Sequence, residues 1–291
     1  MAMIAVADVP LKTLLRLGRV SNIPTVWTNV LAGTVLAGAM QPGWRIGVVL
    51  LAASLYYCGG MFINDYFDRK VDASERPERP IPAGEISATK VAKIGFGFLF
   101  AGSLTLLPVG ALAAAIGLLL SGTIVGYDLH HKNNAAAPVV MGSCRALVYC
   151  MAAAAGAGCV SIVVVIAAVA LLGYVAGVTY AARLEAFDRL GSLWPLALLA
   201  MPLVVGLPVL VIDVSAAAIY LLLAGWTAAA VSLLARRPVA GAVSQAVGRL
   251  IAGISLVDAT FLAGAGAIAY ALVAIVGFVL TLTLHRRIVG T

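Results

Sequence analysis

Residues 45–72 read RIGVVLLAASLYYCGGMFINDYFDRKVD. Positions 45–66 form an almost unbroken apolar run, long enough for a helix to cross a hydrocarbon core. The end of the run turns acidic. Asp65, Asp68 and Asp72 follow one another at three and four residues and therefore share a helix face, and Asn64, Asp68 and Asp72 make a second row at i, i+4, i+8. Clustering carboxylates where a helix leaves a bilayer costs repulsion and desolvation, so the pattern calls for a cation to offset it. Mg²⁺ holding a phosphorylated substrate suits the place, because it prefers hard oxygen ligands and needs only one or two carboxylates per ion.

The rest of the chain repeats the apolar theme. It is 63% hydrophobic and 11% charged, with a mean hydropathy of +1.07, which excludes an ordinary soluble domain. Continuous runs rich in Ala, Leu, Val and Gly point to helices rather than a barrel. They fall near 21–40, 45–66, 90–107, 109–127, 136–156, 160–180, 194–212, 215–235, 243–263 and 265–284. The expected fold is an all-α polytopic bundle of nine core spans and a tenth at the C-terminus. The weakest run is 243–263, interrupted by Arg249 and Asp258. Residues 1–20 read as a cytoplasmic amphipathic lead-in rather than a cleaved signal. Residues 21–285 form one membrane domain, and 286–291 a short cytoplasmic tail.

Basic residues set the orientation. Lys12, Arg16 and Arg19 precede the first run. Arg69, Lys70, Arg76, Arg79 and Lys90 flank the second loop, Lys132 follows the fourth run, Arg183 and Arg189 the sixth, and Arg236 and Arg237 the eighth. If every run crosses, these lie on one side, which is then cytoplasmic; Arg45 is nearly alone on the other. Arg286 and Arg287 join the same side only if 243–263 crosses too. A bacterial cytoplasmic membrane is the expected location. The net charge of +7 is accounted for by these loops and needs no nucleic-acid partner. Cys58, Cys144, Cys150 and Cys159 lack metal-ligand spacing and read as small apolar filler.

The polar clusters all face the charged side. After the second run come the acids, then Arg76 and Arg79 in a segment broken by Pro77, Pro80 and Pro82. After the fourth comes Tyr127-Asp-Leu-His-His-Lys132. After the sixth come Tyr180, Arg183, Glu185, Asp188 and Arg189. Two acidic patches with several Lys and Arg make a diphosphate–magnesium pocket: acids hold the ions, ions bridge phosphate oxygens, and basic side chains bind the remaining charge. An interior lined by Ala, Gly, Leu and Val suits a long hydrocarbon tail. Arg145 lies about ten residues into a run; burial of its charge is costly enough that it should face the cavity, against a phosphate or an acidic acceptor, or else pair with Asp128 or another acid. Asn22 is read either as a ligand contact or as an interhelical hydrogen bond. Asp258 and Arg249 read as packing or topology features.

Asn64-Asp65-x-x-Asp68-x-x-x-Asp72, the Arg76-Pro77 and Arg79-Pro80-Ile81-Pro82 repeats, and Arg19 with Asn22 together resemble the UbiA superfamily of intramembrane prenyltransferases, over roughly residues 15–265. The resemblance implies a helical bundle with a cytoplasmic cap over a central cavity open laterally to lipid. It also implies Mg²⁺-dependent transfer of a prenyl group from a polyprenyl diphosphate to a lipophilic or aromatic acceptor. Metal ligands would be Asn64, Asp65, Asp68, Asp72, Glu185 and Asp188, with Asp65, Asp68, Asp72 and Asp188 catalytic. Substrate contacts would be Asn22, Arg76, Arg79, Tyr127, Lys132, Arg145 and Tyr180. The chain departs from the family pattern in its second acidic motif, reduced from Asp-x-x-x-Asp to Glu185 and Asp188. It also places Lys132 five residues after Tyr127 instead of four, which puts His131 at the usual offset. These departures resemble those of a divergent branch such as the group associated with Ebo-type gene clusters. The reduced motif keeps a second reading open, a non-catalytic carrier of a lipophilic precursor. A transporter with carboxylate relays is disfavoured, because the acids sit at one membrane face.

Overall fold

The computed structural model describes residues 9–39, 43–132, 134–183, 192–237 and 239–287. Helices are α1 (Leu11–Leu17), α2 (Ile23–Leu36), α3 (Trp44–Glu75), α4 (Ala88–Leu106), α5 (Ala111–His130), α6 (Ala137–Ala157) and α7 (Ile162–Ala182), followed by a mixed segment containing α8 (Met201–Val205), then α9 (Val214–Arg236), α10 (Ala242–Gly264) and α11 (Ile268–His285). Among the described residues, eight helical segments are long and apolar enough to cross a membrane. The expected runs 21–40 and 90–107 appear as α2, only 14 residues long, and α4, which carries Lys90 and Lys93 in its first turns.

Two elements differ from the sequence expectation for physical reasons, and the weakest expected run agrees with it. Helix α3 continues past residue 66 to Glu75, for 32 residues in all. At 1.5 Å per residue that is about 48 Å, well beyond the ~30 Å hydrocarbon core, so its last turns lift the acids out of the bilayer. It stops at Arg76 (φ −142°, ψ 62°), where the following Pro77 excludes helical geometry. The run 194–212 is not a continuous α-helix. Trp194–Ala200 and Leu207–Val211 are 3₁₀ turns around α8, because Pro195, Pro202 and Pro208 each remove a backbone donor. The run 243–263, weakest by composition, is α10, an unbroken helix of 23 residues and the most deeply buried of the eight, with 83% of its central window inside the protein.

Packing divides the bundle into two halves. One core gathers α3, α4 and α5, the other α7, α9, α10 and α11, and both take residues from α2 and α6. Helix α2 touches α3, α6, α10 and α11, which is why its apolar character runs all round rather than along one stripe. A cavity of about 260 Å³ lies on this seam, between Tyr56 and Leu120 on one side and Val175 and Val247 on the other.

Candidate functional site

The last turns of α3 carry the acids, and three separate segments bring cations to them. The chain reverses through the prolines after α3, so Arg79 Nη1 lies 3.0 Å from Asp72 and 3.3 Å from Asp65. Arg19 reaches Asp65 from the opposite side at 3.3 Å. Its backbone is left-handed (φ 42°, ψ 46°), an uncommon and costly conformation for a side-chain-bearing residue, and it marks the bend between α1 and α2. From the α5–α6 connection, Lys132 Nζ lies 2.7 Å and His131 Nε2 3.2 Å from Asp68 Oδ1, although neither is aligned as a hydrogen bond.

His131 bears on the charge balance. Its Nδ1 faces the Asp128 carbonyl at 3.2 Å while Nε2 faces Asp68. An imidazole with an oxygen acceptor at each nitrogen satisfies both only when doubly protonated. The Asp68 contact accordingly raises its pKa above the ordinary histidine value. The pairs Arg16–Glu85 at 3.2 Å and Thr13–Glu85 at 2.7 Å tie α1 to the proline-rich turn.

The cavity begins beneath this charged mouth. Arg19, Asn22, Tyr127 and Asp128 line its polar end. Eight residues into α6, about 12 Å along the helix, Arg145 enters the same wall and stacks on Tyr57, 5.4 Å from the ring centre. Arg145 donates to Asn29 Oδ1 (2.9 Å) and Thr25 Oγ1 (3.1 Å). Asn29 Nδ2 lies 2.9 Å from both oxygens of Asp258, which is 0% exposed and also accepts from the Tyr149 hydroxyl. Asp258, expected as a packing or topology residue, thus belongs to a buried polar chain ending at the cavity wall. Among the described residues no carboxylate lies within ion-pair distance of Arg145.

The expected residues are placed as follows. Asn64, Asp65, Asp68, Asp72, Arg79 and Lys132 are brought together. Asn22 lies in the cavity wall, 2.5 Å from His285 Nε2 at the end of α11. Tyr127 lines the cavity and stacks on His131 at 5.0 Å. Arg76 bonds through its backbone to Asp72 and Arg79. Tyr180 ends α7 half-buried; Thr179 and Ala182, not Tyr180, reach the cavity wall. Glu185 and Asp188 lie outside the described residues. Sequence reasoning gave no ligand role to His131 or Asp128 and overlooked Asn29 altogether. The partners of Arg145 lie 116 and 120 residues away and Asp258 a further bond beyond, separations that local spacing does not reveal.

Mg²⁺ fits the donors present. Carboxylates and a carboxamide are hard oxygen ligands, and Asp68 Oδ1 is buried without an aligned hydrogen bond. No three Asp, Glu, His or Cys groups among the described residues form a ready cage; Mg²⁺ needs only one or two carboxylates, its shell being completed by phosphate and water.

Residues 25–238 match the UbiA prenyltransferase family. A digeranylgeranylglyceryl phosphate synthase of Ignicoccus hospitalis is 37% identical over 109 residues, 38% of this chain and 35% of that enzyme. One from Methanopyrus kandleri is 31% identical over 141 residues, 46% and 51% of the two chains. A 4-hydroxybenzoate octaprenyltransferase of Idiomarina loihiensis is 39% identical over 100 residues, 33% and 29%. The match therefore spans about a third to a half of these relatives. A UbiA homologue from Archaeoglobus fulgidus, solved with GPP and Mg²⁺, shares the fold at a TM-score of 0.61 and 16% identity, over 91% of this chain and 99% of that one. A solved digeranylgeranylglyceryl phosphate synthase does so at 0.64 and 20%, over 89% and 99%.

Proposed function

The chain belongs to the UbiA prenyltransferase family, and from that footing we propose that it transfers a prenyl group from a polyprenyl diphosphate to a lipophilic or aromatic acceptor within the membrane. The observation that carries this reading is the meeting of the α3 acids with Arg19, Arg79, His131 and Lys132 directly above an apolar cavity. The basic groups are already opposite carboxylates, so an incoming diphosphate exchanges partners instead of entering a field of like charge. Arg19, Arg79 and Lys132 bind its oxygens, and Asp68 with Asn64, together with Glu185 and Asp188, would hold Mg²⁺. That ion supplies Lewis-acid neutralisation of the leaving diphosphate.

The allylic C–O bond breaks with its electron pair leaving on the diphosphate. The prenyl carbon then bonds to an electron-rich atom of the acceptor, which gives up a proton. Apolar walls exclude the water that would otherwise capture the prenyl fragment. Arg145, fixed by Thr25 and Asn29 and braced by Asp258, orients the acceptor well below the phosphates. The basic residues of the loops support a cytoplasmic N-terminus and site, and a bacterial cytoplasmic membrane is the proposed location.

The test is turnover by the purified chain in nanodiscs, with radiolabelled geranyl, farnesyl and geranylgeranyl diphosphates, Mg²⁺ or EDTA, and a membrane extract as acceptor source. A Mg²⁺-dependent prenylated product, absent with Asp68→Ala, is the expected result. Tight binding without turnover across those donors would instead establish a carrier.

A further inference from the structure

Asp128 stands in the last full turn of α5, in the polar end of the cavity wall, and is 5% exposed. Its Oδ1 accepts a hydrogen bond from Asn64 Nδ2 at 3.0 Å. Its Oδ2 is fully buried and has no hydrogen-bond partner. Buried carboxylate oxygens in native proteins are satisfied, so an unsatisfied one on a residue of the cavity wall points to a missing partner. Protonation at Oδ2 does not resolve the matter, because the hydroxyl would then lack an acceptor in turn.

The surroundings identify the partner as a cation. Asn64 belongs to the acidic row of α3, and by donating through Nδ2 it keeps its own Oδ1 as an oxygen donor. The Asp128 carbonyl holds the ring of His131, whose other nitrogen contacts Asp68. Asp128 is thereby linked to two members of the α3 row from a different helix.

We infer that Asp128, at the end of α5, is a ligand of the divalent cation through Oδ2, held in aim by Asn64. This rests on the prenyl diphosphate reading above. Asp68 of α3 and Asp128 of α5 would then each offer the ion a carboxylate, and substrate phosphate would complete its shell.

The experiment is a Mn²⁺ titration followed by electron paramagnetic resonance, with and without the unreactive analogue geranyl S-thiolodiphosphate. It compares the wild-type chain with Asp128→Asn, which keeps the acceptor for Asn64 and removes the charge. Melting in EDTA checks the fold of each variant. Analogue-dependent Mn²⁺ binding in the wild type, weakened tenfold or more in Asp128→Asn, is expected. Equal affinity in the two, with loss in Asp68→Asn, overturns the Asp128 assignment and leaves the prenyl diphosphate reading standing. Absence of Mn²⁺ binding in the wild type overturns both. Should Asp128→Asn not fold, Asp128→Ser, smaller and still able to accept from Asn64, is read by the same criteria.

Discussion

Arg79 is the side chain on which two carboxylates of the site depend. It lies 3.0 Å from Asp72 and 3.3 Å from Asp65, all three mostly buried. Arg19 still answers Asp65 when Arg79 is removed, but Asp72 loses its partner. Breaking a buried ion pair on one side costs about 3–5 kcal/mol; because the pair sits at the protein surface of the cap, Arg79→Ala should cost about 2–3 kcal/mol. A denaturant titration in detergent checks this, and Asp72→Asn added to Arg79→Ala should recover part of the loss, since the orphaned charge goes with it. At Arg145 the expected effect is kinetic. The guanidinium sits about 12 Å into α6, away from the acids, so Arg145→Met should raise KM for the acceptor tenfold or more and leave KM for the diphosphate within about twofold. A matched rise in both would place Arg145 among the diphosphate contacts. These residues also mark how far the sequence could be read. The acids of α3 were legible because their spacing is local. Asn29, with Asp258 behind it, was not, because hydrogen bonds across 116 and 229 residues leave no local pattern.

At the scale of the element, apolar runs located the helices well, and their polar interruptions weakened the pattern where a helix faces protein instead of lipid. Arg249 and Asp258 made 243–263 look like a poor span. In α10 they carry little penalty, because Asp258 meets Asn29 and Tyr149 on neighbouring helices and hardly any of α10 touches lipid. Proline had the reverse effect: the run 194–212 looked unbroken by hydropathy, yet three prolines turn it into short 3₁₀ and α pieces. Close helix contacts rest on residues whose role is invisible to hydropathy. Gly33 of α2 faces α6 so tightly that an added Cβ would stand 2.5 Å from the Tyr149 carbonyl oxygen, backbone that has no rotamer with which to yield. Small residues permit this approach. Gly33→Ala should therefore push α2 from α6, costing about 1–3 kcal/mol, and displace Tyr149 from Asp258. A fall in melting temperature in detergent, with wild-type Mg²⁺-dependent binding of diphosphate retained, is the expected result. An unchanged melting temperature would show that the two helices separate freely.

Across the whole molecule, the two apolar halves share α2 and α6 and leave the cavity between them, so the reacting groups lie at a seam, a usual place for ligand sites between helices. The charged mouth sits at one end of that seam, and which side of the membrane it faces decides which pool of diphosphate it can draw on. Helix α6 starts beside Lys132 and runs 21 residues, about 31 Å, so the turn holding Cys159 lies roughly one hydrocarbon thickness from the acids. Cys159 is exposed, while Cys58, Cys144 and Cys150 are partly buried within helices, which makes the native chain its own topology probe. The positive-inside rule, applied to the basic loops, predicts a cytoplasmic mouth. A membrane-impermeant maleimide should then label intact spheroplasts at Cys159 and lose the label in Cys159→Ser. A cysteine at the exposed Ser74 position of α3, introduced into Cys159→Ser, should react only after the membrane is opened. The reverse pattern would put the acids on the outer face, where cytoplasmic prenyl diphosphates and Mg²⁺ do not reach them directly, and prenyl transfer from that pool would lose its physical basis.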